Sequence, residues 1–402
     1  MKYYIISGEA SGDLHGSNLI KELYKLDEHA QIRCWGGDMM QAAGATLVKH
    51  YRELAFMGFT EVIKNIGTIF KNIAFCKQDI LLNRPDVLVL IDYPGFNLRI
   101  AKWARQQGLK IVYYISPQIW AWKENRIHSI KKNVDKMLVI LPFEKAFYAK
   151  WNFEVEYVGH PLVEVVDDFK KSMGNGQWAM GNRQSAIGNE DAPMTNDSMT
   201  NDPMTNDSGQ NADAKIIALL PGSRRQEILK KLPIMLQVVS HFADYKFVVA
   251  KAPGLADEFY NELLAPYKNV SAVVNKTYPL LSASAAAIVT SGTATLETAL
   301  FAVPEVICYK SNNISYQIAK RLIKIKYICL VNLIMDKEVV KELIQDDLSV
   351  QNLVAELKKL LYDNEKRAQL KKDFDDLKNL LSAGGHASAN AAKSIYGMMK
   401  KY

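Results

Sequence analysis

Four short segments combine residue types and spacing that can do chemistry, and each directly follows a short apolar run. The first is Ser7-Gly-Glu-Ala-Ser-Gly-Asp-Leu-His-Gly16. Its glycines Gly8, Gly12 and Gly16 allow a backbone to approach a ligand closely, but the spacing is neither G-x-G-x-x-G nor a Walker loop, and no lysine follows. Glycine alone supports only a tight turn. Glu9, Asp13 and His15 within ten residues point instead to a polar substrate pocket, and the carboxylates argue against a simple phosphate cradle. The second segment is Ile91-Asp-Tyr-Pro-Gly-Phe-Asn97. A carboxylate at the end of a buried strand can have its pKa raised and serve as a general base, so Asp92 is a candidate base; an Asx-type cap for the next helix explains it as well.

The other two segments suit anions. Leu219-Leu-Pro-Gly-Ser-Arg-Arg-Gln-Glu227 leads from a strand through Gly222 and Ser223 into a helix start with two guanidiniums. Free amides at a helix start together with arginine make an anion site, and Arg224 is the choice for phosphate contact; an ordinary solvated helix start is the plainer account. Thr290-Ser-Gly-Thr-Ala-Thr-Leu-Glu297 offers a second helix start at Ser291, Gly292 and Thr293, suited to a pyrophosphate. Glu297, one turn on, can accept hydrogen bonds from a ribose diol or simply stabilise its helix. Two such helix starts in one half of the chain strengthen the nucleotide reading. No Asp-x-Asp stands at any of these junctions, and no H-E-x-x-H, Cys/His cluster or G-x-S-x-G occurs. No metal site and no cofactor is therefore expected, and cationic side chains with helix dipoles would stabilise a leaving group.

The elements that must position these segments are legible as alternation. Apolar runs at Lys2–Ser7, Ile32–Trp35, Val87–Ile91, Ile111–Ile115, Lys136–Leu141 and Val155–Val158 read as strands, as do Lys215–Leu220, Lys246–Ala250, Val270–Val274, Ala286–Thr290 and Glu305–Tyr309. Helical patterns near Gly16–Leu26, Glu61–Leu82, Leu98–Gln107, Glu124–Lys132 and Phe143–Lys150 separate the first set. Continuous apolar strands alternating with helices predict parallel sheets covered on both faces, hence an α/β chain of two doubly wound, Rossmann-like domains. Ligands of such sheets bind at the carboxyl ends of the strands, where all four segments lie.

At 402 residues, 49% hydrophobic and 23% charged, the chain is neither disordered nor a disulfide mini-scaffold, and two domains fit its length. Residues 172–214 break the composition: they are rich in Gly, Asn and Asp and carry the tandem repeat Met194–Ser198, Met199–Pro203, Met204–Ser208. Such a segment cannot bury enough apolar surface to offset its ordering entropy, and it reads as a disordered linker or insertion. The expected organisation is thus 1–171, a first Rossmann-like domain; 172–214, the linker; 215–348, a second Rossmann-like domain that holds both anion-ready helix starts; and 349–402, helices packing across the domains. The formal charge is +7. Since 172–214 holds one basic and six acidic residues, the rest of the chain carries five more, +12, which suits an anionic partner. Cys34, Cys76, Cys308 and Cys329 are far apart, pointing to a reducing cytoplasm. No apolar run approaches the roughly 18 residues of a membrane span.

Two stretches could still lie on a membrane. Val62–Gln78 has Lys64, Lys71 and Lys77 among Ile and Phe with no acid, and Val306–Met335 has Lys310, Lys320, Arg321, Lys324 and Lys326 with no Asp or Glu. Core-facing helices with solvated lysines are the default, while an apolar face edged by cations also describes an interfacial helix on anionic lipid. Ile119-Trp-Ala-Trp-Lys123 adds interfacial aromatics.

Together with MGFTEV (57–62), SPQIWAWKENR (116–126), LPFEKAFY (141–148), VGHPL (158–162) and AKRLIKIKYICLVNLI (319–334), the four segments resemble the lipid A disaccharide synthases, inverting glycosyltransferases of the two-domain GT-B type. The resemblance spans nearly all of the chain outside the linker. It implies two Rossmann-like domains facing a central cleft, and transfer of a sugar from UDP-2,3-diacylglucosamine to the 6-hydroxyl of 2,3-diacylglucosamine 1-phosphate (lipid X), giving a β-1,6 disaccharide 1-phosphate and UDP. It further implies a cytoplasmic enzyme peripheral to the anionic inner face of the inner membrane, with no nucleic-acid partner and a homodimer left open. By motif, Asp92 is the base, Arg224 and Ser291–Thr293 hold the UDP phosphates, Glu297 the ribose, and Asn332 makes a functional polar contact. Glu9, Ser11 and Asp13, with Gly8 and Gly12, line the acceptor side. The chain departs from the family's common pattern in three places: a second Asp is Gly95 here, Leu-Pro-Asn is Leu330-Val-Asn332, and a glycine that usually follows is Asp336. Asp92 is then the sole carboxylate of its segment.

Two other readings compete. A UDP-sugar epimerase, or a transferase acting on unacylated acceptors, shares the architecture and is disfavoured by the apolar basic stretches. A non-catalytic binder of nucleic acid or membrane fits the net charge, but it predicts basic residues in one stripe with aromatic stacking positions.

Overall fold

The computed structural model describes residues 1–54, 66–174, 216–252, 254–312, 316, 317, 321 and 325–401. The expected linker beyond residue 174, the segment 57–62, and Lys64, Lys320 and Lys324 lie outside them. The chain divides into two compact units, one of Met1–Glu164 with Asn379–Tyr402 and one of Val165–Lys378.

The first unit is built on a seven-stranded sheet. Its strands are β1 (Lys2–Ile6), β2 (Gln31–Gly36), β3 (Thr46–His50), β4 (Val87–Ile91), β5 (Lys110–Tyr114), β6 (Lys136–Val139) and β7 (Glu156–Tyr157), in the spatial order β3-β2-β1-β4-β5-β6-β7. Every neighbouring pair is parallel. All five residues of β4, Val-Leu-Val-Leu-Ile, are buried, as a central strand covered on both faces requires. A buried cluster joins Tyr4, Trp35, Ile73, Cys76, Ile80, Phe96 and Tyr113 beneath helices Ile66–Asn83 and Pro94–Gln106. Helix Ile66–Asn83 is tied down by Asp79, whose carboxylate accepts from the Tyr4 hydroxyl at 2.6 Å and twice from Arg33 at 2.8 Å. The C-terminal helix Ala387–Lys400 packs along helix Ala10–Leu26.

The second unit repeats the plan with β8 (Ile216–Leu220), β9 (Lys246–Lys251), β10 (Val270–Val274), β11 (Ala286–Thr290), β12 (Glu305–Tyr309) and β13 (Lys341–Ile344), ordered β10-β9-β8-β11-β12-β13 and again parallel throughout. Helix Val350–Tyr362 lies in this unit, and the division between the units falls inside helix Asn364–Ser382.

In both sheets the strand order reverses beside the first strand, between β1 and β4 and between β8 and β11. Connections leave in opposite directions there and open a crevice at the strands' carboxyl ends. The four segments singled out from the sequence follow β1, β4, β8 and β11, so each unit brings one pair of them to its switch point.

Candidate active site

In the first unit the end of β4 turns sharply. Asp92 (φ 43°) and Tyr93 (φ 49°) are consecutive left-handed residues, a conformation that costs a side-chain-bearing residue roughly 1–2 kcal/mol. The turn is held by its neighbours. The backbone carbonyl of Asp92 accepts from Asn97 Nδ2 at 2.8 Å and from the Tyr113 hydroxyl at 2.6 Å, and its amide donates to the Tyr114 carbonyl at 3.3 Å. Asn97, fully buried in the first turn of helix Pro94–Gln106, also donates to the Ile91 carbonyl at 3.2 Å. Burial pushes the half-buried Asp92 carboxyl up to about 7, and the nearby Glu9 charge adds to the rise. A carboxylate so placed is matched to abstracting a proton near neutral pH.

The segment after β1 closes the other side. A Cβ on Gly8 would fall 2.4 Å from Cγ of Tyr93, and one on Gly12 would fall 2.9 Å from Cβ of Ser7, so close approach is what requires glycine here. Helix Ala10–Leu26 begins inside the expected loop, with Glu9 at its N-cap and Ser11 half-buried in its first turn. Asp13 is buried and its carboxylate accepts from the amides of Gly37 (2.7 Å), Met39 (3.2 Å) and Met40 (3.0 Å), capping the short helix Asp38–Ala42. His15 is buried with Nδ1 unpartnered, and burial pushes its imidazole down to about 4, leaving it neutral.

In the second unit the loops after β8 and β11 meet. Gly222 (φ 111°) has the backbone that favours glycine, and a Cβ there would lie 2.9 Å from Glu227 Oε2 and 3.5 Å from Thr290 Cγ2. Ser223 is exposed, and Arg224 caps helix Arg225–Gln237 with Nη1 3.4 Å from Glu227 Oε1. Across from it, Ser291 Oγ donates to the Ile328 carbonyl at 3.2 Å, and Gly292 and Thr293 expose the start of helix Thr293–Leu300. Glu297 accepts from the Tyr278 hydroxyl at 2.9 Å, and burial raises its carboxyl above the ordinary value. One switch point therefore presents a carboxylate, and the other presents guanidinium and helix-start amides.

The family model for Lipid-A-disaccharide synthetase matches residues 3–183 and 193–396. The chain belongs to the lipid-A-disaccharide synthase family. It is 35% identical to the Lipid-A-disaccharide synthase of Geobacter sulfurreducens over 402 residues, covering 99% of this chain and 97% of that one. With the Nitrosococcus oceani synthase it shares 36% over 385 residues, 94% and 92% of the two chains. Among solved structures it is similar to the UDP-GlcNAc 2-epimerase of Neisseria meningitidis bound to UDP-GlcNAc (TM-score 0.66, 12% identity, all of both chains). It is also similar to the glycosyltransferase of kitacinnamycin (TM-score 0.61, 13% identity, 99% of both). At such identity the likeness is one of fold, GT-B, and the epimerase alternative gains nothing from it.

Set in this family, the remaining motif residues can be placed. Asn332 is fully buried: Nδ2 donates to the Val340 carbonyl at 2.8 Å and to Glu342 Oε1 at 3.1 Å, and Oδ1 accepts from the amides of Val339 (2.8 Å) and Val340 (3.0 Å). Its amide is spent on the chain leading into β13. Asp336 has φ 49° and ends helix Leu330–Met335, a left-handed position that Asp tolerates better than most side chains. Gly95 is exposed, with nothing within 4 Å of a Cβ, so a second carboxylate would fit there. Asn97 and Tyr113, which hold Asp92, had no role in the sequence reading. The signal for Asn97 was its place five residues after the candidate base, at a helix start; Tyr113 belongs to another strand and left none.

Proposed function

We propose that the protein transfers the 2,3-diacylglucosamine unit of UDP-2,3-diacylglucosamine to the 6-hydroxyl of lipid X in a single inverting displacement. The acceptor oxygen attacks the anomeric carbon, the anomeric bond to phosphate breaks with its electron pair on UDP, and the acceptor proton passes to Asp92. Membership of the synthase family sets the reaction, and the observation that carries the mechanism is the Asp92 carboxyl, poised near neutrality on a turn that Asn97 and Tyr113 hold. Arg224 and the Ser291–Thr293 amides take the diphosphate, where charge grows as the bond breaks, and Glu297 the ribose. Glu9 and Ser11 face the acceptor. Asp13 and Asn332 act as positioning residues, since backbone amides or carbonyls occupy their side chains.

Attachment to an anionic membrane surface from the cytoplasmic side goes with this reading. Helix Ile66–Asn83 exposes Phe70, Phe75, Leu81 and Leu82 beside Lys71, an apolar face edged by a cation. Among the described residues no helix is long and apolar enough to cross a membrane. The reaction is tested by mass spectrometry of products from UDP-2,3-diacylglucosamine and lipid X. Disaccharide 1-phosphate and UDP are expected, and equal turnover of deacylated substrates would sink the lipid assignment.

A further inference from the structure

Lysine is seldom buried without a partner, because removing an ammonium from water is costly. Lys231 is 2% exposed, and among the described residues it makes no hydrogen bond or ion pair. It lies on helix Arg225–Gln237, one turn beyond Glu227. Glu227 does not neutralise it by contact, since one carboxylate oxygen faces Arg224 Nη1 and the other the Gly222 backbone. Arg224 is close enough for its charge to work against that of Lys231, and Cys308 and Glu227 are close enough to favour it.

These neighbours fix where Lys231 sits. Cys308 is the register partner of Thr290 across β12 and β11, so the two side chains share one face of the sheet. Thr290 is the last residue of β11, and its Oγ1 is buried with no partner. The Gly222 loop lies against both Thr290 and Glu227. An unpaired ammonium and an unpaired hydroxyl therefore belong to the same wedge, between the start of helix Arg225–Gln237 and the carboxyl ends of β11 and β12. Glu305, whose carboxylate is likewise buried and unpartnered, begins β12 at the opposite edge, away from any strand-end ligand.

We infer that Lys231, with Thr290 beneath it, completes the anion site of this unit and takes phosphate oxygens of a nucleoside diphosphate from below, while Arg224 and the helix-start amides take them from above. The inference rests on the donor site proposed above and adds two groups to it. An incoming diphosphate would supply both the counter-charge that Lys231 lacks and the acceptor or donor that Thr290 Oγ1 lacks.

Calorimetric titration of the full chain with UDP, and with uridine as the phosphate-free control, tests it. Lys231→Met keeps the aliphatic stem and should weaken UDP binding at least about tenfold while leaving uridine binding unchanged. Its melting temperature should equal or exceed that of the unsubstituted protein, because a buried unpaired charge is gone. Lys231→Arg should hold UDP within about threefold. UDP affinity in Lys231→Met within about twofold of the unsubstituted protein would overturn the inference. So would equal losses in both variants with a lowered melting temperature, which would mark Lys231 as structural. Failure of the unsubstituted protein to bind UDP would instead strike the donor-site reading itself.

Discussion

Replacing Asp92 by asparagine should cut turnover steeply and raise stability in the same protein. Burial and the Glu9 charge hold the carboxyl at about 7 in the folded state, against an ordinary value of 3.8. Its folded pKa is the higher of the two, so between about pH 4 and 7 the folded state binds more protons than the unfolded state and stability falls as pH rises. The gap sets a ceiling of about 4 kcal/mol, and because the side chain is half-buried, solvent screening brings the realised cost to about 1–2 kcal/mol at pH 8. Asp92→Asn should recover that amount at pH 8 and little at pH 4, where the acid is neutral in the folded state and only about half ionised in the unfolded one. Turnover at pH 8 should drop by a factor of about 100 or more, as for loss of a general base. The unsubstituted enzyme should run at about one tenth of its plateau kcat/KM at pH 6 and reach the plateau above pH 8. Denaturant midpoints at pH 4 and 8 with initial rates from pH 5.5 to 8.5 give all of these. A flat pH–rate profile, or an Asp92→Asn protein that is less stable at pH 8, would refute the reasoning.

Gly95→Asp puts a carboxylate into open space at the first turn of helix Pro94–Gln106; it should add about 0.5–1 kcal/mol of stability and move the acid limb of the pH–rate profile upward, since a second negative charge disfavours ionised Asp92. Asn97→Ala leaves buried carbonyls of Ile91 and Asp92 short of a donor, and should cost about 2–3 kcal/mol by thermal denaturation and more than tenfold in kcat. Asp336→Gly relieves the left-handed residue after helix Leu330–Met335 and should raise stability by about 0.5–1 kcal/mol, whereas Asp336→Val should lower it; equal effects would mean that backbone strain is not what the position selects on.

The central strands were legible because burial on both faces writes them as unbroken apolar runs: β4, β11 and β12 have the bounds their residues suggest. β3 (Thr-Leu-Val-Lys-His) and β13 (Lys-Glu-Leu-Ile) were missed, and both are edge strands with polar residues interleaved. Helix Ala10–Leu26 starts six residues before its expected start because Ala-Ser-Gly-Asp-Leu-His is a weak helix former on its own. Tertiary contacts override that weakness, with Gly12 against Ser7 and the Asp13 carboxylate on three amides of the next segment. The chemistry-bearing positions were legible for a topological reason: they follow strands, and strand ends at a switch point are where ligands sit. Their supports were not, since a residue such as Tyr113 or Lys231 acts through a strand or helix distant in sequence.

What the topology leaves open is charge. Two sheets of the same order present opposite signs at equivalent places, and each holds a like-charge pair that the proposed reaction relieves. In the first unit Glu9 works against ionised Asp92, and the strain ends when Asp92 accepts a proton. In the second, Arg224 works against charged Lys231, and the strain ends when a diphosphate arrives. Folding stability is spent at both places to hold groups that are better satisfied as the reaction proceeds, Asp92 when the acceptor proton moves and the cations as charge grows on the leaving diphosphate, which is the condition for differential stabilisation of a transition state. If that is the logic, neutralising either pair should make the protein more stable and less active together: Asp92→Asn in the first unit and Lys231→Met in the second. A variant that gains stability and keeps its kcat/KM would show that the repulsion there is incidental to catalysis.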